Sequence, residues 1–280
     1  MNGKIICVNA SLHKVLLENN AIIDTKTRGK LRNEHIEPVV GDNVVVDVEN
    51  KTIEDVLPRT NYLKRPLIAN VDKLLIVMST SIPAFSSYLI DKFLLIAKAN
   101  NIEPIIVITK TDMISLKEKT EVLKYMNYYR KLGVKVYINS SVNKIKKEFR
   151  NSVVALAGQT GSGKSSLLNR IDASLRLKTG EVSESLGRGK HTTRLVELLE
   201  VNGGLIADTP GFSSLEIDID RKQIKDYYPD FKRECKYRTC LHIKEDGCGI
   251  IKLVNSGKIP RWRYENYLKF LEETNKKQEY

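Results

Sequence analysis

The sequence predicts an α/β domain with a mostly parallel sheet covered on both faces, preceded by a small all-β barrel and followed by a small helical domain. Three observations lead to this fold class. Residues 1–65 hold short runs rich in Val and Ile, residues 66–219 alternate apolar strands with helical patterns, and residues 220–280 contain a Cys/His cluster before an amphipathic stretch. We place the domain boundaries at these positions.

The N-terminal segment has the pattern of a barrel of about five strands, as in an OB-fold or an SH3-like module. Its apolar runs are GKIICVNA, HKVLLEN, AIIDTKTRGKLR and NVVVDVEN. Four cations alternate along the third run: Lys26, Arg28, Lys30 and Arg32. In a strand they would share one face, which could bind a nucleic-acid backbone; a solvated hairpin has the same pattern. The stretch LPRTNYLKRPL is the expected linker.

Six apolar runs after the linker predict the strands of the central sheet. They span 73–78, 104–108, 134–138, 152–157, 194–200 and 204–208. Helical patterns separate the first four runs, and strands that alternate with helices form mostly parallel sheets. The final segment predicts one more helix, with an apolar face formed by Trp262, Tyr267, Leu268 and Leu271.

Composition and charge favour a polyanionic partner. The chain of 280 residues has a formal net charge of +12, most of it between 70 and 215. A basic surface favours nucleic acid, although solubility alone can give the same composition. No apolar run approaches the roughly eighteen residues that span a bilayer, and no secretory signal pattern is seen. We therefore expect a cytoplasmic monomer with no membrane partner.

The strongest motif is GQTGSGKSS, which follows the strand at 152–157 and begins a helix. Its glycines let backbone N–H groups point at phosphate oxygens. Lys164 adds a positive charge at the β- and γ-phosphates, and the Ser165 hydroxyl can bind Mg²⁺. We expect nucleotide contacts from the whole loop: Gly158, Gln159, Thr160, Gly161, Ser162, Gly163, Lys164, Ser165 and Ser166.

Two further motifs are typical of nucleotide-sensing switches. Asp208 and Gly211 belong to a DTPG turn that ends a strand; the carboxylate can hold Mg²⁺ through water, and the glycine N–H can sense a γ-phosphate. A plain turn is the alternative. The loop GRGKHTTR, 187–194, can close over a nucleotide, and Thr192 or Thr193 can give Mg²⁺ a hydroxyl ligand. A solvated or RNA-contacting loop remains possible there.

The stretch IVITKTDMISL, 106–116, has the pattern of a guanine-reading loop. Guanine presents an N1–H and a 2-amino group side by side, and the Asp112 carboxylate can accept both, whereas adenine would leave it unpaired. The Lys110 stem can cover the base. We expect Thr109, Lys110 and Asp112 to contact the nucleotide, although Thr109 stands where most guanine readers have Asn, so one hydrogen-bonding amide is missing. Ser140 and Ser141 follow the next strand as a second base loop.

The base motif precedes the phosphate motif in the chain, and no second N/T-K-x-D pattern follows Asp208. The same six strands can form a sheet with the chain termini moved, because domain ends usually lie near each other on the surface. The sequence therefore predicts a circularly permuted P-loop GTPase domain.

Four potential metal ligands cluster near the C-terminus: Cys235, Cys240, His242 and Cys248. Three thiolates and one imidazole suffice for a tetrahedral Zn²⁺ site with no position left for water, so the metal would be structural. Unrelated buried cysteines are the alternative interpretation.

The order TKTD, GQTGSGKS, GRGKHTTR, DTPGF, between a barrel and a cysteine cluster, resembles the ribosome small-subunit-dependent GTPase family (RsgA, also called YjeQ) over nearly the whole chain. The resemblance implies an OB-fold, a permuted GTPase domain and a zinc domain, with GTP or GDP, Mg²⁺ and one Zn²⁺ as ligands. It also implies GTP hydrolysis stimulated by the small ribosomal subunit in its late maturation, with nucleotide-dependent binding to ribosomal RNA.

Phe212 occupies the place of the glutamine that positions water in Ras, so we expect slow hydrolysis by the isolated protein. Our hypothesis is that ribosome docking orders 187–194 and brings His191 towards the water, a role that the resemblance also supports. Two other function classes stay open: a P-loop enzyme acting on adenine nucleotides or a small substrate, and an RNA-binding module that holds its nucleotide without hydrolysis.

Overall fold

The computed structural model describes residues 1–10, 12–29, 31, 37–64, 66–177, 196–208 and 216–278. An eleven-stranded sheet joins two strand-rich regions within this part of the chain. The first region contains β1 (Asn2–Asn9), β2 (Leu12–Leu17), β3 (Ile22–Thr27), β4 (Asn43–Asp47) and β5 (Thr52–Val56). A separate hairpin follows, with β6 (Tyr62–Lys64) and β7 (Leu67–Ala69).

The first five strands form the predicted OB-like barrel. Strand β1 pairs antiparallel with both β2 and β4, and a parallel pairing of β3 with β5 completes the closed order β1-β2-β3-β5-β4. Alternate residues of these strands point inward, as the period of two requires. The barrel core consists of Ile5, Val15, Leu17, Leu31, Val44, Val46 and Ile53.

The predicted basic face of the third run is wrong, because β3 ends at Thr27. Beyond it the chain turns, and the N–H of Leu31 donates to the carbonyl of Arg28 at 3.2 Å. This turn buries Leu31 in the barrel core. The Arg28 guanidinium pairs with Glu54 of β5. Of the two described cations, Lys26 lies in the strand and Arg28 follows its end, whereas residues 30 and 32 lie outside the described part.

The expected linker at 57–67 is partly folded, since it contains β6 and the start of β7. Side-chain amides fasten this hairpin to the barrel. The Asn70 amide donates to the Gly41 carbonyl at 3.0 Å, and Asn61 exchanges two hydrogen bonds with the Val71 backbone. Gly41 has φ +90°, and a Cβ there would lie 2.0 Å from the Ala69 carbonyl oxygen, so only glycine fits.

The second region is the predicted α/β domain. Its strands are β8 (Lys73–Ser79), β9 (Glu103–Thr109), β10 (Lys135–Ile138), β11 (Val153–Ala157), β12 (Glu197–Val201) and β13 (Gly204–Asp208). Its helices are α1 (Ser87–Ala99), α2 (Leu116–Lys131), α3 (Val142–Phe149) and α4 (Lys164–Ile171). The strand order is β10-β9-β8-β11-β13-β12, parallel except for β12. Two apolar clusters cover the faces, with α1 and α2 on one side and α3 and α4 on the other.

The barrel and the α/β domain share one sheet, because β1 also pairs with β12 through Cys7 and Glu197. Ile6 of β1 and Leu198 of β12 belong to the same apolar cluster. The strand that follows the predicted switch loop 187–194 is therefore packed directly against the first strand of the barrel.

The C-terminal region contains α5 (Gly249–Asn255) and α6 (Arg261–Gln278). Helix α6 packs against α1: Tyr267 and Leu271 share an apolar cluster with Leu95, and Leu268 borders it. Trp262, predicted on the same face, packs instead against tyrosines of α2. The boundaries at 1–65, 66–219 and 220–280 stay a prediction. No helix in the described ranges has the length and apolarity that a membrane crossing requires.

Candidate nucleotide site and metal centre

Parallel pairing brings the predicted nucleotide motifs to one edge of the sheet. Thr109, the last residue of β9, is in register with Ser79, the last residue of β8. The carboxyl ends of β10, β11 and β13 lie at the same edge, and loops at this edge form ligand sites in open α/β sheets. The base loop (109–112) follows β9 and the phosphate loop (158–166) follows β11, with β8 between these two strands.

The phosphate loop lies directly on β8. Gly158 has φ +134°, and a Cβ on it would lie 2.2 Å from the Val77 carbonyl oxygen. The Lys164 ammonium group donates to the carbonyls of Gly158 and Gln159 at 2.7 and 2.8 Å, so the loop curls around its own lysine. Burial lowers the pKa of Lys164 to about 8. A phosphate oxyanion would supply the negative charge that this partly desolvated group lacks.

The remaining side chains of the phosphate loop include unsatisfied polar atoms. Gln159 Oε1 and Ser162 Oγ are buried and have no hydrogen-bond partner among the described residues. Ser165 is buried in the first turn of α4, whereas Thr160 and Ser166 are exposed. Buried polar atoms are normally satisfied, so orphan atoms in this loop fit a site that a polar ligand completes.

The base loop touches the phosphate loop, although Thr109 and Ser162 are 53 residues apart in sequence. The Thr109 hydroxyl lies 2.6 Å from the Ser162 carbonyl oxygen and 3.3 Å from that of Met78. A Cβ on Gly163 would lie 3.6 Å from Thr109 Oγ1. The two motifs therefore form one continuous surface despite their reversed order in the chain.

The other residues of the base loop are held at its rim. Lys110 has φ +58°, and its ammonium group donates to the Ile82 carbonyl. Asp112 is exposed, and no group within the described residues donates to its carboxylate. The N-cap of helix α2, Ser115, lies three residues later and forms a capping box with Glu118. Asp112 is thus available to a ligand.

Sequence reasoning missed the segment after β8, which braces both loops. The Thr80 hydroxyl lies 2.8 Å from the Lys110 carbonyl oxygen and 3.1 Å from that of Thr109. Pro83 Cδ would lie 3.7 Å from a Cβ on Gly161. The signal available was the polar stretch STS directly after the buried strand LLIVM, at the same edge as the two motifs.

The second base loop lies beside the first. The N–H of Asn139 donates to the Ile108 carbonyl at 2.9 Å, and the N–H of Ser141 donates to that of Ile138 at 2.9 Å. Ser140 is exposed and Ser141 is half-buried. These contacts bring both base loops to the rim of one site.

The switch residues can be placed only in part. Asp208 ends β13 at the same edge, opposite Glu197 of β12. Its side chain lies outside the described part of the structure, as do His191, Thr192, Thr193 and Gly211.

The cysteine cluster has the geometry of a tetrahedral metal site. The ligand atoms of Cys235, Cys240, His242 and Cys248 all lie within 4.8 Å of one another. The sulfurs of Cys235 and Cys248 are 3.8 Å apart, and each lies 3.4 Å from His242 Nδ1. Zinc with bonds of about 2.3 Å to sulfur holds two sulfurs about 3.8 Å apart. The four residues therefore fit Zn²⁺.

Backbone groups support this cluster. The N–H of Gly249 donates to Cys235 Sγ at 3.3 Å, and the N–H of Ile251 donates to Cys248 Sγ at 3.5 Å. The Tyr264 hydroxyl of α6 donates to the His242 carbonyl at 2.6 Å. Hydrogen bonds to sulfur favour the thiolate form that binds metal, and the tyrosine fixes the loop that carries the imidazole.

Family models match both strand-rich regions. The model described as RsgA GTPase matches residues 56–218, and the one described as RsgA N-terminal domain matches residues 2–53. A Bacillus velezensis protein named Small ribosomal subunit biogenesis GTPase RsgA is 45% identical over 285 residues, covering 97% of this chain and 96% of that protein. The protein of that name from Halalkalibacterium halodurans is 44% identical over 266 residues, covering 91% and 90%.

Two solved structures have the same fold over almost the full chain. YloQ, described as a circularly permuted GTPase, superposes with a TM-score of 0.84 at 37% identity, covering 99% of this chain and 95% of that chain. YjeQ from Thermotoga maritima superposes with a TM-score of 0.85 at 33% identity, covering 97% of each chain. The predicted permuted fold is confirmed.

Proposed function

The chain belongs to the RsgA GTPase family, and on this premise we propose that it hydrolyses GTP in the maturation of the small ribosomal subunit. The observation that carries the proposal is the contact between Thr109 and Ser162, which joins the base loop to the phosphate loop. Guanine recognition and phosphate binding can then occur on one nucleotide.

The phosphate loop would hold the triphosphate. Its backbone N–H groups and the N-terminus of α4 face the anion, and Lys164 supplies the countercharge at the β- and γ-phosphates. When bound, Mg²⁺ neutralises charge on the β- and γ-oxygens during transfer. We assign its ligands as Ser165 and a switch threonine, Thr193 or its neighbour Thr192, with Asp208 acting through water. The Gly211 N–H would sense the γ-phosphate.

The base would lie at the rim formed by the two base loops. Asp112 accepts from the N1–H and the 2-amino group of guanine, and adenine lacks this pair of donors. The Lys110 stem covers the base face, and the loop of Ser140 and Ser141 lies on its other side. An exposed Asp112 without a partner within the described residues supports this assignment.

Hydrolysis would be slow without a partner. Phe212 cannot position water as a glutamine does, so another group must do so. We propose that docking on the small subunit brings His191 to the water, and that GTP strengthens the grip on ribosomal RNA late in maturation. The protein would act in the cytoplasm as a monomer.

The C-terminal domain would carry one structural Zn²⁺ on Cys235, Cys240, His242 and Cys248. The S···S distance of 3.8 Å supports a closed site, as does a cluster of four ligands with no fifth among the described residues. Such a metal organises the loop 235–248 and takes no part in hydrolysis.

Phosphate release with and without purified small subunits tests the proposal. We expect the subunits to raise GTP turnover at least tenfold, no comparable release from ATP, and no stimulated release by Lys164→Ala. The matched control is Lys98→Ala, an exposed lysine in the last turn of α1, whose activity is expected to equal that of the wild type. Release from ATP would favour a different P-loop enzyme, and binding of GTP without release would favour an RNA-binding module.

A further inference from the structure

Thr109 differs from the rest of the base loop because its side chain is buried, with 3% exposed. Two carbonyl oxygens lie near its hydroxyl: that of Ser162 at 2.6 Å and that of Met78 at 3.3 Å. A hydroxyl has one proton, and both neighbours are acceptors. The proton therefore goes to the closer carbonyl, in the phosphate loop.

A hydroxyl that has already donated its proton can only accept further hydrogen bonds. Guanine's donors, the N1–H and the 2-amino group, are those that the proposed function assigns to Asp112. The edge that remains presents N7 and O6, and both are acceptors. Thr109 therefore has no proton to offer to this edge.

We propose that Thr109 is a positioning residue: its hydroxyl ties the base loop to the phosphate loop and makes no contact with the base. This inference rests on the proposed function, and it leaves side-chain selection of guanine to Asp112. It also explains what threonine can do where most guanine readers have asparagine. Threonine keeps the hydrogen bond between the two loops, but it has no second donor for the base.

The surroundings of Thr109 fit this role. A Cβ on Gly163 would lie within 3.7 Å of both Thr109 Oγ1 and Cγ2, so the phosphate loop packs against the whole side chain. On the other side, the Thr80 hydroxyl holds the carbonyls on either side of the Thr109–Lys110 junction. The tie fixes the distance between the two loops before nucleotide binds.

Loss of this hydrogen bond is expected to weaken the affinity for every ligand that contacts both loops. The size of the effect does not depend on which groups the edge of the base presents. Thr109→Val keeps the shape and removes the proton, whereas Thr109→Ser keeps the proton. Losing one net hydrogen bond corresponds to about a three- to tenfold weaker affinity. Because the tie holds substrate and transition state alike, Thr109→Val is expected to raise KM and leave kcat unchanged.

The test compares the Kd values of GDP, 7-deaza-GDP, which lacks N7, and 6-thio-GDP, which has a weaker acceptor than O6. We expect Thr109→Val to raise all three Kd values by the same factor, so that their ratios equal those of the wild type. Thr109→Ser is expected to bind all three within about twofold of the wild type. Thermal unfolding of each variant confirms that the compared proteins are folded.

If Thr109 contacted the base directly, the ratio of the Kd of an analogue to the Kd of GDP would change on substitution. The wild type would bind the analogue more weakly than GDP, and Thr109→Val would bind both equally. That result, or unchanged GDP affinity in Thr109→Val, would overturn the inference. If Thr109→Val does not fold, the wild type is compared with Thr109→Ser instead. The inference is then overturned if the wild type binds 7-deaza-GDP more weakly than GDP and Thr109→Ser reduces this difference. Failure of the wild type to bind GDP at all would instead contradict the proposed function on which the inference rests.

Discussion

A buried ionic network joins helix α6 to the α/β domain. We predict the loss of stability that follows when its central arginine is replaced. Arg263 of α6 is 2% exposed and pairs with Asp91 of α1, which is 1% exposed. The Arg263 guanidinium also donates to both Asp230 oxygens at 3.2 Å. Asp91 accepts further bonds from Tyr129 at 2.7 Å and Asn266 at 2.8 Å. Arg263→Met would leave Asp91 buried without a cation.

The expected cost follows from this stranded charge. Removing one partner of a buried ion pair costs about 3–5 kcal/mol. The bonds from Tyr129 and Asn266 persist and methionine retains the apolar stem, so we expect about 3 kcal/mol for Arg263→Met. At about 2–4 °C per kcal/mol for a chain of this size, the unfolding temperature would fall by about 6–12 °C.

The loss is also expected to depend on pH. Burial raises the pKa of Asp91, and the nearby Arg263 guanidinium opposes this rise. Without the guanidinium the folded-state pKa rises further above the unfolded value. The folded variant then gains stability as the carboxyl takes up a proton, so its deficit is smaller at pH 5 than at pH 8.

Urea unfolding followed by circular dichroism measures these differences. Arg261→Met is the matched control, because this arginine lies on α6, is exposed and forms a surface ion pair with Glu265. Surface pairs contribute about 0–1 kcal/mol. Arg263→Met deprives both Asp91 and Asp230 of their cation, and adding Asp91→Asn removes the more deeply buried of the two charges, so it is expected to restore part of the lost stability. If Arg263→Met cost no more than Arg261→Met, the reasoning would be refuted.

Two further predictions concern the phosphate loop and the metal centre. Because the pKa of Lys164 is lowered to about 8 and a bound phosphate raises it, GDP binding takes up a proton above that pH. The Kd of GDP is expected to rise about fivefold between pH 8 and 9, and a flat profile would contradict this. Lys164→Arg keeps its charge, so its profile is expected to be flat. Elemental analysis is expected to find one zinc per chain, lost in Cys248→Ser and retained in Cys7→Ser, and chelation is expected to lower the unfolding temperature. Equal zinc in both variants would exclude the cluster as the site.

Most of the central sheet could be predicted from the sequence, because strands buried on both faces read as continuous apolar runs. LLIVM and PIIVI became β8 and β9 with their ends shifted by a residue. The hairpin at 62–69 was missed because prolines and polar residues resemble a linker. It is held by the amides of Asn61 and Asn70, and such long-range side-chain bonds leave no periodic pattern.

Each nucleotide motif could be predicted from its own stretch of sequence, but the contact between the two motifs could not. The link from Thr109 to Ser162 depends on the order of strands in the sheet. The contact of Lys110 with the Ile82 carbonyl could not be predicted either, because every residue type has a backbone carbonyl. The basic face of the third run was wrong because burial of Leu31 overrides the alternation of charges, so the chain turns after Thr27.

The central claim is that Asp112 reads the base of the nucleotide whose phosphates Lys164 holds, and a change of base preference tests it most directly. Xanthine replaces the 2-amino donor of guanine by a carbonyl acceptor, which suits the amide of Asn. We therefore expect Asp112→Asn to prefer XDP to GDP in competition binding, while the exposed control Asp246→Asn keeps the preference for GDP. An Asp112→Asn variant that still prefers GDP as strongly as the wild type would contradict the account.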